Sequence, residues 1–178
     1  MLETPFTGGT TPVVSFKTDN VSKLLDEESA MNLALEEATS AMSHGDVPVG
    51  AVAMVDGRVI ASRHNERELQ SDPTAHAEIL ALRDAAAIVG SWRLDSVTLI
   101  VTLEPCAMCA GALIVARIKK VVFSAEDPKA GACGSLYNLC SDPRLNHEVD
   151  VRQISDDGRS AELLKTFFQA KRRETGTS

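Results

Sequence analysis

Residues 96–125 read SVTLIVTLEPCAMCAGALIVARIKKVVFSA, and the changes of character along this stretch decide the fold. SVTLIVTL (96–103) is β-branched and scarcely alternates, the pattern of a strand buried on both faces. Pro105 suits the opening of a helix, and CAMCAGALIVARI continues it. KKVVFSA (119–125) is strand again. A helix between two such strands is a crossover, which makes the pair parallel.

Outward from this unit the elements alternate. Asp26 to His44 carries Met31, Ala34, Leu35, Ala38, Ala41 and Met42 on one helical stripe, and Gly45 ends it. VGAVAMV (49–55) and RVIAS (58–62) are two strands joined at Asp56-Gly57, a favoured hairpin turn. A charged loop over 63–73 follows. Thr74 is the expected cap of a second helix running through Ile79, Leu80, Leu82 and Ile88 to Gly90. Residues 126–146 read as loop with short helical pieces, and a brief strand near 148–154 and a final helix near 158–173 complete the chain. The order predicts an α/β fold with a mixed sheet of about five strands and helices on both faces.

At 178 residues, 44% hydrophobic and 24% charged, the chain fits one soluble domain. We assign it residues 26–174, with a flexible N-terminal tail over 1–25 and a short C-terminal tail over 175–178. No apolar run is long enough to cross a membrane. The first twenty residues lack the basic and apolar blocks of a secretory leader. The four cysteines then point to a reducing compartment and to metal or catalytic duty. A net charge of −7 speaks against nucleic acid; the segment KTFFQAKRR (165–173) is locally basic, and Phe167 and Phe168 in it are expected in the core.

Two fragments carry chemistry: His76-Ala77-Glu78, and Pro105-Cys106-Ala107-Met108-Cys109. Cys106 and Cys109 share a face at a helix N-terminus, where the dipole favours thiolates. With the His76 imidazole they make three zinc ligands, one fewer than a closed structural site uses, leaving the fourth place for water. Residues two apart on a helix point about 200° away from one another. His76 and Glu78 can therefore face one site only if it lies just beyond the helix N-terminus. Glu78 would then move protons beside the metal without binding it. A lone C-x-x-C could be two buried small residues, and a lone H-x-E is common by chance; together they are the H-x-E…P-C-x-x-C signature of zinc-dependent nucleobase deaminases.

From about Glu28 to Arg173 the sequence resembles the bacterial tRNA-specific adenosine deaminases. The matching pieces are DVPVGAV (46–52), Asn65, DPTAHAEI (72–79), VTLEPCAMCAGAL (101–113), VVFSAEDPKAGACGSL (121–136), LNHEV (145–149) and FFQAKRR (167–173). The resemblance implies a cytidine deaminase-like three-layer α/β/α fold, a cytoplasmic homodimer, and hydrolysis of the wobble adenosine in a tRNA anticodon stem-loop, in an arginine tRNA, to inosine. It implies one Zn2+ per subunit on His76, Cys106 and Cys109, with Glu78 as the proton shuttle. More loosely, it places Asn65 on the flipped base, Asp127 near the nucleotide backbone, and Lys171, Arg172 and Arg173 on RNA.

Bland readings stand beside these. Asn65 could satisfy local turn amides, Asp127 could be the turn residue before Pro128, and the basic trio suits a helix C-terminus whatever the function. Cys133 departs from the small residue expected in its Gly-rich loop and could be a buried thiol; a second metal site with Cys140 and His147 has no diagnostic spacing. Three other functions remain open: deamination of a free base such as guanine, a zinc-stabilised module without turnover, and a thiol redox C-x-x-C.

Overall fold

The computed structural model describes residues 24–174 and Gly176; the tail expected over 1–25 lies outside the described residues except for Leu24 and Leu25. Among the described residues there are five α-helices and five strands: α1 (Glu27–Ala41), β1 (Gly50–Val55), β2 (Arg58–His64), α2 (Arg67–Gln70), α3 (Ala77–Val89), β3 (Thr98–Leu103), α4 (Ala107–Val115), β4 (Lys120–Ala125), β5 (Asp150–Gln153) and α5 (Arg159–Glu174). The strands form one mixed sheet in the order β2-β1-β3-β4-β5. β1 runs antiparallel to β2 and β3, while β3, β4 and β5 are parallel. None of these helices is long and apolar enough to cross a membrane.

The central strands β1, β3 and β4 are buried on both faces, which explains the missing alternation in them. Ala51, Ala53, Leu99, Val101, Val121 and Phe123 point into one cluster with Ala77, Ala81 and Ala85 of α3 and Leu113 of α4. Val52, Met54, Ile100 and Val122, the intervening residues, meet Ala30, Met31, Ala34 and Leu35 of α1. α5 packs on α1, β3 and β4. The result is the expected three-layer α/β/α arrangement. The β1–β2 hairpin turns at Asp56 and Gly57, both with positive φ (48° and 76°), as a tight hairpin turn of the favoured twist requires.

Several boundaries differ from the sequence reading. Thr74 does not cap α3: its N–H and hydroxyl both bond Asp72 Oδ1 at 2.7 Å, closing a turn around Pro73. The cap position is His76, and the helix begins at Ala77. Likewise α4 begins at Ala107, with Cys106 in its extended cap position. The charged loop holds the four-residue α2, which the sequence reading did not expect. Residues 126–146 contain turns and isolated bridges but no helical piece. Phe167 is buried as expected, whereas Phe168 is 45% exposed and meets Phe167 edge-on.

The start of α5 depends on Asp156, a buried carboxylate that accepts from Gly158 N–H (3.1 Å), Ser160 N–H (2.9 Å) and the Ser160 hydroxyl. Burial raises its pKa, but these donors outweigh burial and hold it below the ordinary Asp value. Asp156→Ala should cost about 1–2 kcal/mol, or about 2–8 °C in Tm. A carboxylate with a lowered folded-state pKa stabilises above its unfolded pKa and loses that contribution as pH falls through the folded one. The difference in Tm between wild type and Asp156→Ala should therefore be full at pH 7 and shrink below about pH 4; calorimetry at several pH values checks both.

Candidate active site

The chain reversals at one end of the sheet gather the chemistry-bearing residues. β3 ends at Leu103 and runs through Glu104-Pro105 into Cys106; β2 ends at His64 and runs into Asn65. α3 starts at this same end, because Asn65 Oδ1 accepts from Ala77 N–H at 2.9 Å. That bond satisfies one of the helix's orphan first-turn donors from a distant residue. Asn65 Nδ2 also donates to Val47 C=O at 3.1 Å, so this buried side chain ties the approach to β1 to the start of α3.

His76 Nδ1 lies 3.8 Å from Cys106 Sγ and 3.6 Å from Cys109 Sγ. The three ligand atoms all fall within 4.8 Å of one another, and among the described residues they form the one group of three or more such side chains able to hold a metal ion. Tetrahedral zinc with its usual bond lengths separates such atoms by roughly 3.5–3.8 Å, so the donor set fits that ion. The electrostatics agree. Hydrogen bonds from Cys109 and then His76 pull Cys106 down to about 3, while the bond to Cys106 and then burial push the Cys109 thiol far up. The Cys106 hydrogen bond raises His76. A second thiolate here needs a cation beside it.

Glu78 is in the first turn of α3, 3% exposed, and its Oε2 has no hydrogen-bond partner. Burial raises its pKa above the ordinary carboxylate value. His76 precedes the helix in extended conformation (φ −77°, ψ 149°) and Glu78 follows inside it. This is the splayed first turn that lets both side chains face one site.

Asp127 belongs to the neighbouring loop. Its Oδ1 accepts from Lys129 N–H (2.9 Å) and Ala130 N–H (3.1 Å), a turn of the kind Asp commonly closes. The loop touches the His76, Cys106 and Cys109 group through an antiparallel bridge between Gly131 and Cys106. Lys171, Arg172 and Arg173 are exposed on the last turn of α5, outside that group. Lys171 Nζ lies 3.6 Å from where a Cβ on Gly45 would sit, which brings the end of α5 alongside the turn leading to Asp46. Cys133 and Cys140 are buried thiols 3.6 Å apart, and His147 Nε2 is engaged with Ile118 C=O at 2.8 Å. They make no second metal group among the described residues.

Asp46 and Glu104 are two further buried carboxylates that the sequence does not single out. Asp46 accepts from Glu68 N–H (3.0 Å) and Leu69 N–H (3.3 Å) and meets His44 Nδ1 at 2.9 Å, fixing α2. Glu104 collects donors from the loop that carries Asp127. Each stands in a recognisable piece, DVPVGAV or VTLEPC, but most of the partners are backbone N–H groups far along the chain.

A three-layer α/β/α domain with a His/Cys/Cys group and a buried carboxylate beside it defines the class: a hydrolytic deaminase of the cytidine deaminase-like fold. A family model for MafB19-like deaminases matches residues 25–172. The tRNA-specific adenosine deaminase of Bacillus subtilis (strain 168) is 42% identical over 151 residues, 85% of this chain and 94% of that protein. A solved structure from a study of A-to-I editing by tRNA:A34 deaminases at the wobble position of transfer RNA matches with a TM-score of 0.73 at 46% identity, covering 76% of this chain and 98% of the other. Guanine deaminase from Bacillus subtilis matches with a TM-score of 0.57 at 30% identity, over 84% and 95% of the two chains. The chain belongs to the tRNA-specific adenosine deaminases, within the MafB19-like deaminase family.

Proposed function

We propose that residues 26–174 form a single zinc-dependent deaminase domain that hydrolyses the wobble adenosine of a tRNA anticodon loop, in an arginine tRNA, to inosine. His76 Nδ1, Cys106 Sγ and Cys109 Sγ hold one zinc ion per subunit. Bound there, zinc supplies Lewis-acid activation of water. Glu78 Oε2 takes one proton from the attacking water and passes it to N1 of the adenine ring, then takes the second proton from the resulting hydroxyl and passes it to the departing amino group. Adenosine and water become inosine and ammonia. The observation that carries this reading is the buried, unpartnered Oε2 beside the metal-binding group. A buried carboxylate oxygen without a hydrogen-bond partner costs stability, and proton transfer is the use that accounts for it.

Asn65 binds the flipped base. One Nδ2 hydrogen goes to Val47 and one Oδ1 lone pair to Ala77 N–H, which leaves one donor and one acceptor position for the base. Asp127 and the Lys171–Arg173 turn meet the RNA backbone. The net charge of −7 is compatible with this, because loop RNA is held by base pockets and stacking as well as by charge, and a base already in a loop is cheap to flip. The enzyme works as a cytoplasmic homodimer, as the family resemblance implies. Deamination of free guanine is the second reading, favoured by the likeness to the Bacillus guanine deaminase.

Purified protein offered an anticodon stem-loop with wobble adenosine, and separately free guanine, adenosine and cytidine, should yield inosine in the stem-loop alone, with a rate that falls as salt rises. Ammonia from a free base with the stem-loop untouched would overturn the RNA reading in favour of the second.

A further inference from the structure

We infer that Glu104 is a positioning residue for substrate: its carboxylate fixes the loop over 127–135 beside the metal-binding group, and so governs how tightly the nucleic acid binds rather than how fast the bound base reacts. The inference rests on the function proposed above. Glu104 is 2% exposed, and its partners are donors of this one loop, not a lysine or arginine. Oε1 accepts from Cys133 N–H at 2.9 Å and Ser135 N–H at 3.0 Å; Oε2 accepts from Asp127 N–H at 3.1 Å and from the Ser135 hydroxyl. Four donors from nine residues converge on a single carboxylate. A fully satisfied buried network of this kind specifies one conformation of the chain around it.

The glycine in this loop supports the same assignment. A Cβ on Gly131 would collide with Glu104 Oε2 and lie 2.6 Å from Asp127 C=O, so the backbone approaches the carboxylate as closely as only glycine allows. Gly131 N–H in turn bonds Asp127 C=O at 2.8 Å. The loop is then laid along the start of α4: Ala132 N–H bonds Pro105 C=O at 2.8 Å, and Gly131 pairs with Cys106. Glu104 N–H bonds Ala125 C=O at 2.8 Å, which clamps the exits of β3 and β4 together. The fixed loop presents Asp127, exposed Lys129 and, just past Ser135, exposed Leu136 and Tyr137. It contributes no atom to the His76, Cys106 and Cys109 group and none of Glu78. Its effect therefore falls on what is bound at the rim.

Glu104→Gln is nearly isosteric and turns one acceptor toward donors. Ser135→Ala is the milder companion, since it removes one donor at an exposed position. Both are compared with wild-type holoenzyme by bound zinc, hydrogen exchange over 127–135, stem-loop Kd, and single-turnover rate at saturating stem-loop. The expected result for Glu104→Gln is one zinc retained, at least tenfold faster exchange in the loop, Kd raised at least tenfold, and a saturated rate within about threefold of wild type. Ser135→Ala should shift exchange and Kd the same way by a smaller factor. Unchanged loop exchange in both variants would overturn the inference, as would a loosened loop with unchanged Kd, or a loss confined to the saturated rate. If the wild type does not deaminate the stem-loop, the functional reading fails by itself. The exchange arm and the same split between KM and rate, taken with the base the enzyme does turn over, then decide the role of Glu104.

Discussion

Glu78→Gln should retain the fold and the bound metal while the single-turnover deamination rate falls by about 10²–10⁴-fold, the contribution a positioned general acid–base makes. The expectation follows from the position of the side chain more than from its identity. Glu78 is almost wholly buried in the first turn of α3, its Oε2 has no partner, and burial raises its pKa. It also lies outside the group of three ligand atoms, so an amide in its place leaves that group complete. Zinc content, melting temperature and rate on the stem-loop are the measurements. A variant that keeps its zinc and deaminates within a few-fold of wild type would end the assignment of Glu78 as proton shuttle. Loss of zinc in the variant would recast it as part of the metal site.

The split between what was legible in the sequence and what was not follows from the range of the interactions. His76, Glu78, Cys106 and Cys109 could be read because the chemistry needs fixed residue types at short spacings, and each fragment sits at a helix start. The layers could be read because Ala51, Ala53 and Val101 alternate with Val52, Met54 and Ile100 between two buried faces. The start of α3 was misplaced at Thr74 because its true partner, Asn65, lies twelve residues before Ala77 and acts as a cap from outside the helix. Glu104 and Asp46 carry no local signal for a similar reason: most of their donors are backbone N–H groups far along the chain, of α2 for Asp46 and of the 127–135 loop for Glu104, and a backbone donor leaves no letter in a sequence. The hydrophobic dipeptide at 167–168 suggested two core anchors, but adjacent helical residues point about 100° apart, and only Phe167 reaches the core.

Removal of the metal should have the second large effect, and thiol chemistry can read it without any activity measurement. Chelator-treated protein should lose at least 99% of its activity and regain it with added Zn2+, because a carboxylate alone is a weak base toward unligated water and the reaction depends on the Lewis acid to make that water a nucleophile at neutral pH. The fold gives the apo protein a second signature. Cys106 is half-buried, whereas Cys109, Cys133 and Cys140 are buried. With metal bound, both Cys106 and Cys109 are ligated and should resist a polar alkylating agent. Without it, Cys106 should be modified first, and the other three only at the rate of local opening. Mass spectrometry of alkylated peptides before and after chelation separates these states. The stability should move as well: a ligand that binds only the folded chain adds RT ln(1 + [L]/Kd), about 4 kcal/mol at a thousand-fold excess over Kd, so the apo protein should melt earlier. Equal alkylation of Cys106 with and without chelator, together with unchanged activity, would remove the metal from His76, Cys106 and Cys109 altogether. Early modification of Cys133 or Cys140 would show instead that chelation opens the loop behind α4, and that the metal also holds Cys106 against Gly131.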